Sequence, residues 1–355
     1  MSVRVAVALS GGVDSATAAA LLLQKGLTVI GVTMRIWHEP PPTSDIPPLP
    51  DPAVSARRIA DKLGIPLYVI DVTESFRRQV IERFIAEYCA GRTPNPCLYC
   101  NRLVKFGDLL VHAQKLGAER FATGHYARVR LAPDGQTWQL LKGIDPHKDQ
   151  SYMLYVLRQH ELALTMFPLG ELTKTRVRQI AAECGLDGLH SPESQDLCFV
   201  YDGNYRRFLQ RYAPQIFKPG PILDTNGREI GQHKGLAWYT IGQREGMGIA
   251  AAEALYVLRI DVAHNALIAG PKRELGRDRL IAGEVNWIAG TPPTTAITVE
   301  AKIRYRARAV RATVIPLSDG RVQVVLAEPL RDITPGQGVV WYQDDMVLGG
   351  GIIEA

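Results

Sequence analysis

The feature that most constrains this chain is a nine-residue string near its start, ALSGGVDSA at positions 8–16. It lies between an apolar run at 3–9, rich in Val and Ala, and an Ala- and Leu-rich run at 15–25 that closes on Gly26. The first run reads as a strand buried on both faces, the second as a helix with a glycine C-cap. Between them Gly11 and Gly12 let the backbone turn tightly and bring its amides close to an anion. Ser10 and Ser15 add hydroxyl donors at the positive end of the helix, and Ala8, Leu9 and Val13 complete the loop. Asp14 puts a carboxylate near phosphates, which points to bound Mg²⁺. No Lys follows the glycines, so this is not a Walker loop, and the G-x-G-x-x-G spacing of NAD-binding turns is missing.

The alternation continues with strands at 28–34 and 67–71, helices at 53–63 and 76–90, and a short strand at 120–123. Strands alternating with helices predict an α/β fold with a doubly wound parallel sheet. Seven prolines between 40 and 52 mark an extended loop. The pattern fades after about 145, although 152–157, 174–184 and 205–212 still read as helices. Beyond 218 short β-rich runs take over, at 254–260, 296–305, 309–316, 321–326 and 338–342. A chain of 355 residues has room for two or three domains. The texture predicts a nucleotide-binding domain at 1–205, a small β-rich domain at 206–279 and a C-terminal β-barrel at 280–355.

With 46% hydrophobic and 22% charged residues, the chain is neither disordered nor collagen-like. Its net charge of +5 permits an anionic partner without demanding one. No apolar run is long enough to span a bilayer, and no leader precedes the first strand, so a cytoplasmic location is expected. Five cysteines, an odd and low count, do not suit a secreted disulfide framework. In a reducing compartment they call for burial, metal or chemistry.

Two of the cysteines form a C-x-x-C pair, Cys97 and Cys100, inside GRTPNPCLYCNRLVKF at 91–106, with a helix expected to start after Asn101. A third, Cys198, ends the polar loop SPESQDLC at 191–198. With the phosphate loop, ATGHYA at 122–127, KDQSY at 148–152, GQHKG at 231–235, YTIGQR at 239–244, RYR at 304–306 and PGQ at 335–337, these strings resemble the tRNA-specific 2-thiouridylase family along nearly the whole chain. SGGVDS itself resembles the PP-loop of enzymes that cleave ATP between its α and β phosphates.

The resemblance implies ATP-dependent conversion of uridine 34 of tRNA to 2-thiouridine. Cys198 would carry a persulfide and Cys100 would resolve it through a transient disulfide; both need accessible thiolates. A sulfur donor, such as a cysteine desulfurase or a relay protein, would recharge Cys198, and the chain is expected to act as a monomer. Met34 and Gly124 would adjoin the nucleotide. Asn95, Pro96, Cys97, His125, Lys148, Asp149, Gln150, Arg304, Tyr305 and Gln337 would contact tRNA. For His125 a core position, and for Asp149 or Ser151 a helix cap, are the plainer alternatives. Cys89 and Cys184, on expected helices without polar motifs, read as packing residues.

Cys97 stands where the family pattern carries Asp, which puts that carboxylate's role in doubt. It also raises a second route, a [4Fe–4S] cluster held by Cys97, Cys100 and Cys198. Lys302, Arg304, Arg306 and Arg308 alternate with apolar residues, and at strand period they would share one face suited to an RNA backbone. Other readings are a different PP-loop ligase and a non-catalytic RNA-binding module. Neither explains the distant cysteines and the phosphate loop together.

Overall fold

In β1 (Arg4–Ala8) Val5, Ala6 and Val7 are fully buried, as expected of a strand covered on both faces. The computed structural model describes residues 2–41, 51–186, 188, 197–331 and 333–354. Most of the proline loop (42–50) and the string SPESQD (191–196) therefore lie outside the described residues. β2 (Thr28–Arg35), β3 (Leu67–Asp71), β4 (Arg120–Ala122), the pair β5 (Ala127–Leu131) and β6 (Trp138–Lys142), and β7 (Thr165–Met166) follow. Five of them form a parallel sheet in the order β3-β2-β1-β4-β7. The order reverses between β1 and β4, so the crevice at the carboxyl ends of these strands is where such a sheet binds ligands.

Period-two alternation splits the core. Val5 and Val7 pack with α1 (Val13–Gln24) and α2 (Pro52–Leu63) on one face, and Ala6 packs with Phe106, Leu109 and Leu110 on the other. The expected helix at 76–90 runs from 73 to 89 and includes a π-helical stretch, Arg77–Ile81. The next helix starts at Pro96, before the expected start after Asn101. Asn95 caps it, its side chain accepting the Cys97 N–H at 3.2 Å, and Pro96 occupies the first position. Cys97 and Cys100 consequently stand on the helix rather than before it. Its second stretch, Cys100–Leu109, is π-helical.

A four-stranded sheet follows, in the order Leu255–Asp261, Ala266–Pro271, Gly220–Leu223, Glu229–His233. Six further strands close into a barrel: Arg277–Trp287, Val322–Leu330, Val310–Pro316, Ile297–Lys302, Gly338–Gln343 and Met346–Ile353, the last pairing back to the first. The hairpin β5–β6, whose mixed and charged sequence hides its strands, joins this sheet where Leu140 pairs with Val347 and Leu141 with Met346.

The strand expected at 296–305 ends at Lys302. Its hairpin register sets Ala301 opposite Val310, so the intervening residues make the turn. Arg304, Arg306 and Arg308 therefore lie in a connection and do not share a strand face with Lys302.

Candidate active site

The phosphate loop closes on its own hydroxyls. The Ser10 N–H donates to Ser15 Oγ at 3.2 Å, and Ser15 Oγ donates to the Gly12 carbonyl at 3.0 Å. Gly11 has φ +80° and lies against α2, where a Cβ would come 2.8 Å from that of Ser55. Ser10 is exposed, and the first-turn amides of α1 point toward the crevice, the arrangement that receives a phosphate. Gly124 makes a close contact within the protein itself. A Cβ there would stand 2.7 Å from the Ser15 nitrogen, so the glycine admits the start of α1 itself.

Asp14 is also not a free carboxylate. The buried ammonium of Lys174 donates to its two oxygens at 2.8 and 2.9 Å, and the Tyr126 hydroxyl donates to Oδ1 at 2.7 Å. Lys174 begins the helix Lys174–Glu183, and its backbone N–H donates to Asp145 Oδ2 at 2.9 Å. Asp145 also accepts from the His147 N–H at 3.0 Å, and these backbone donors, Lys174 first, hold its carboxyl below the usual range. Sequence reasoning missed Lys174 and Asp145, since a lysine in a first helical turn ordinarily reads as solvated.

The three motif cysteines converge. Cys100, Leu197 and Met34 at the end of β2 all pack against the one cluster that contains Val104 and Phe199, and Cys198 feels the charges of Cys100 and Cys97. Cys97 and Cys198 are exposed and Cys100 is half-buried. Their surroundings are crowded enough that desolvation pushes all three thiols up, Cys100 to about 11. Cys198 is raised further by the neighbouring Cys100 and Cys97. Lys105 acts on all three and opposes the rise. Five residues after Cys100 in a π-helix, Lys105 shares its face, which it would not in an α-helix. Among the described residues no three Cys, His, Asp or Glu side chains group closely enough to hold a metal ion. Of the other two cysteines, Cys184 packs against the α1–α2 core, and the half-buried Cys89 accepts a contact from Gln215.

The structure also brings the remaining motif residues into contact with one another or with the core. His125 lies between Phe106 and Phe167, its centroid 6.1 Å from each, and its Nδ1 is 2.7 Å from Thr123 Oγ1. Burial, then Lys105, hold it well below its ordinary value, so the ring is neutral. Asp149 caps the turn Ser151–Leu154, accepting the Ser151 N–H at 3.1 Å and its hydroxyl at 3.0 Å. Gln150 is bonded through both its side-chain carbonyl and its backbone N–H to Tyr126, at 3.0 and 2.8 Å. Tyr305 packs on Tyr152, centroids 6.0 Å apart, and Asp149 influences both Lys302 and Tyr305. Arg304 donates to Thr334, Arg308 pairs with Glu328 at 2.6 Å, and Arg306 is exposed. KDQSY and RYR, far apart in sequence, thus come together through Tyr152 and Tyr305.

Thr93, just before Asn95 and Pro96, is gripped from two sides. Its N–H donates to the Pro335 carbonyl at 2.9 Å, its own carbonyl accepts from Gln337 Nε2 at 2.7 Å, and its hydroxyl is 3.5 Å from that of Thr240. In this conformation Gln337 therefore positions the cysteine-bearing segment. A Cβ on Gly336 would collide with the Thr93 backbone at 2.9 Å.

A phosphate loop at the switch point of a parallel sheet, followed by two β domains, defines an ATP-binding α/β enzyme of the PP-loop class. Residues 3–202 match the family described as tRNA methyl transferase HUP domain, 206–271 its PRC-barrel domain, and 277–353 an aminomethyltransferase β-barrel domain. The chain is 49% identical over 352 residues to the tRNA-specific 2-thiouridylase MnmA of Moorella thermoacetica, covering 98% of this chain and 99% of that one. It is 47% identical over 366 residues to the protein of that name in Roseiflexus castenholzii, covering 99% of each. The chain belongs to the tRNA-specific 2-thiouridylase family.

Proposed function

We propose that this chain converts uridine 34 of tRNA to 2-thiouridine at the expense of ATP, with Cys198 as sulfur carrier and Cys100 as resolving thiol. The observation that carries this reading is the convergence of two thiols, 98 positions apart in sequence, on one aromatic cluster that also receives the end of strand β2. Residues 1–205 would do the chemistry, and 206–279 and 280–355 would hold the RNA. ATP would sit on Ala8–Ser15 with Met34 beside the adenine. His125, Lys148, Gln150, Arg304, Tyr305 and the segment Asn95–Cys97 would face the anticodon loop, whose unpaired base is easily extruded.

In this mechanism the uridine O2 attacks the α-phosphate and expels pyrophosphate. The terminal sulfur of the Cys198 persulfide attacks C2, and AMP leaves with the former O2. The Cys100 thiolate then attacks the Cys198 sulfur. The S–S bond to the base breaks, 2-thiouridine is released, and the enzyme is left with a Cys100–Cys198 disulfide for an external reductant. At rest the Cys100 thiol is protonated, and Lys105 is the group placed to favour its thiolate. Mg²⁺ would screen the triphosphate. Because Lys174 holds both oxygens of Asp14, no step is assigned to a metal on that carboxylate. The three thiols are not grouped as a metal site, so the cluster route does not fit this arrangement and no step runs through it.

Paired thiols beside an ATP loop suit sulfur transfer better than the methyl transfer named in the domain descriptions. The test is mass spectrometry of tRNA modified with ATP and a sulfur donor. Cys198→Ala should leave no 2-thiouridine; normal levels would overturn the assignment.

A further inference from the structure

The mechanism needs the Cys198 thiol at a defined place, and the segment that bears it is short. Residues 197–200 make a tight turn in which the Val200 N–H donates to the Leu197 carbonyl at 3.0 Å. Phe199 anchors the turn among Phe76, Phe84 and Phe208, with centroids at 6.0, 5.5 and 5.4 Å. The second anchor is ionic. Glu39, four residues beyond β2, is 1% exposed. Its N–H donates to the Phe199 carbonyl at 3.0 Å, and its Oε2 accepts the Tyr201 N–H at 3.3 Å.

Arg207, on the helix Tyr205–Tyr212, donates to both Glu39 oxygens at 2.7 and 2.6 Å. It also donates to Asp202 at 2.8 and 3.0 Å, and Arg211 lies 3.5 Å from Glu39. Glu39 thus grips the chain one and three residues after Cys198 while its own backbone continues from β2.

A buried carboxylate is costly unless it is paired and hydrogen-bonded, and a buried ion pair is a weak source of net stability. Its distinctive property is geometry, since a bidentate pair admits few arrangements. Here that geometry is applied to the backbone beside an exposed thiol. We propose that the Glu39–Arg207 pair is a positioning device that holds Cys198 within reach of Cys100. The proposal rests on the sulfur-transfer reading, and it makes Glu39 a positioning residue, not a catalytic one.

The test is the effective concentration of the Cys100–Cys198 bridge in the full-length protein, measured in glutathione buffers and located by peptide mass spectrometry. As the bridge forms, the two thiols give up two electrons and two protons. Oxidised glutathione takes them up and leaves as two reduced molecules. Glu39→Gln should lower the effective concentration at least ~10-fold, with Arg207→Lys between it and the wild type. The kcat for thiolation should fall in parallel, with the KM for ATP and the alkylation rate of Cys89 unchanged. Should Glu39→Gln not fold, Arg207→Lys, which keeps the charge and loses the fork, carries the same measurement. An unchanged effective concentration overturns the device and leaves sulfur transfer standing. A wild-type chain that never forms the bridge overturns both.

Discussion

The segments bearing Cys100 and Cys198 are each held by one backbone–backbone bond and one side chain, and the side chains differ in kind. Cys100 stands on a helix whose entry is held at Thr93 by the Pro335 carbonyl and the neutral Gln337 amide of the C-terminal barrel, and by a hydroxyl contact to the central domain. Cys198 sits on a four-residue turn held by the Glu39 N–H, one aromatic anchor and one buried ion pair. Loss of a neutral amide costs a hydrogen bond, whereas removing one partner of a buried ion pair leaves an uncompensated charge. The Cys198 turn is therefore the one that a single substitution loosens most.

The comparison can be broken at several points. The largest effect should come from Cys198→Ser, which removes the proposed carrier sulfur and should lower 2-thiouridine formation about a thousandfold or more in single-turnover assays. Cys100→Ser should instead permit one attack on the base and trap a base–enzyme adduct, seen as a covalent tRNA band that thiols release. Next is pH. Desolvation raises Cys100 to about 11, so its thiolate fraction, and with it the rate of iodoacetamide alkylation, should climb about tenfold per pH unit from 7 to 10 and level near 11. A midpoint near the ordinary thiol value would remove the crowding around Cys100 from the account.

Gly336→Val tests the backbone grip. Its Cβ would meet Thr93 at a φ of +90°, and a loss of about 2 kcal/mol or more is expected in urea unfolding. The same substitution should lower kcat by misplacing residues 93–100. The smallest effect is Asn95→Ala, which removes the cap on the Cys97 N–H for about 1 kcal/mol. It should leave ATP binding unaltered.

Much of this was legible in the sequence because it is local. The strand–turn–helix around Ser10–Ser15 and the β1–β3 alternation follow from burial on both faces and from glycine placement within a dozen residues. The residues that surround the chemistry were harder to see. Lys174 meets Asp14 across 160 positions, and Glu39 meets Arg207 across 168. Each by itself looks like an ordinary surface charge. The helix at Pro96 was placed late because its start is set by Asn95 and Pro96, a cap that reads as a loop when the motif is taken for its cysteines. The cation stripe at 302–308 failed because alternation persists into a turn whose position depends on the register of a distant strand.

The β5–β6 hairpin has a consequence for how the chain is made. A ribosome delivers residue 140 long before residue 347, yet Leu140 and Val347 are paired neighbours in one sheet. The nucleotide-binding part therefore leaves the ribosome with an unpaired edge that only the end of the chain can cover. A fragment ending near residue 205 would carry that edge indefinitely, and the last eight-residue strand serves as the clasp for a hairpin made far earlier in the chain.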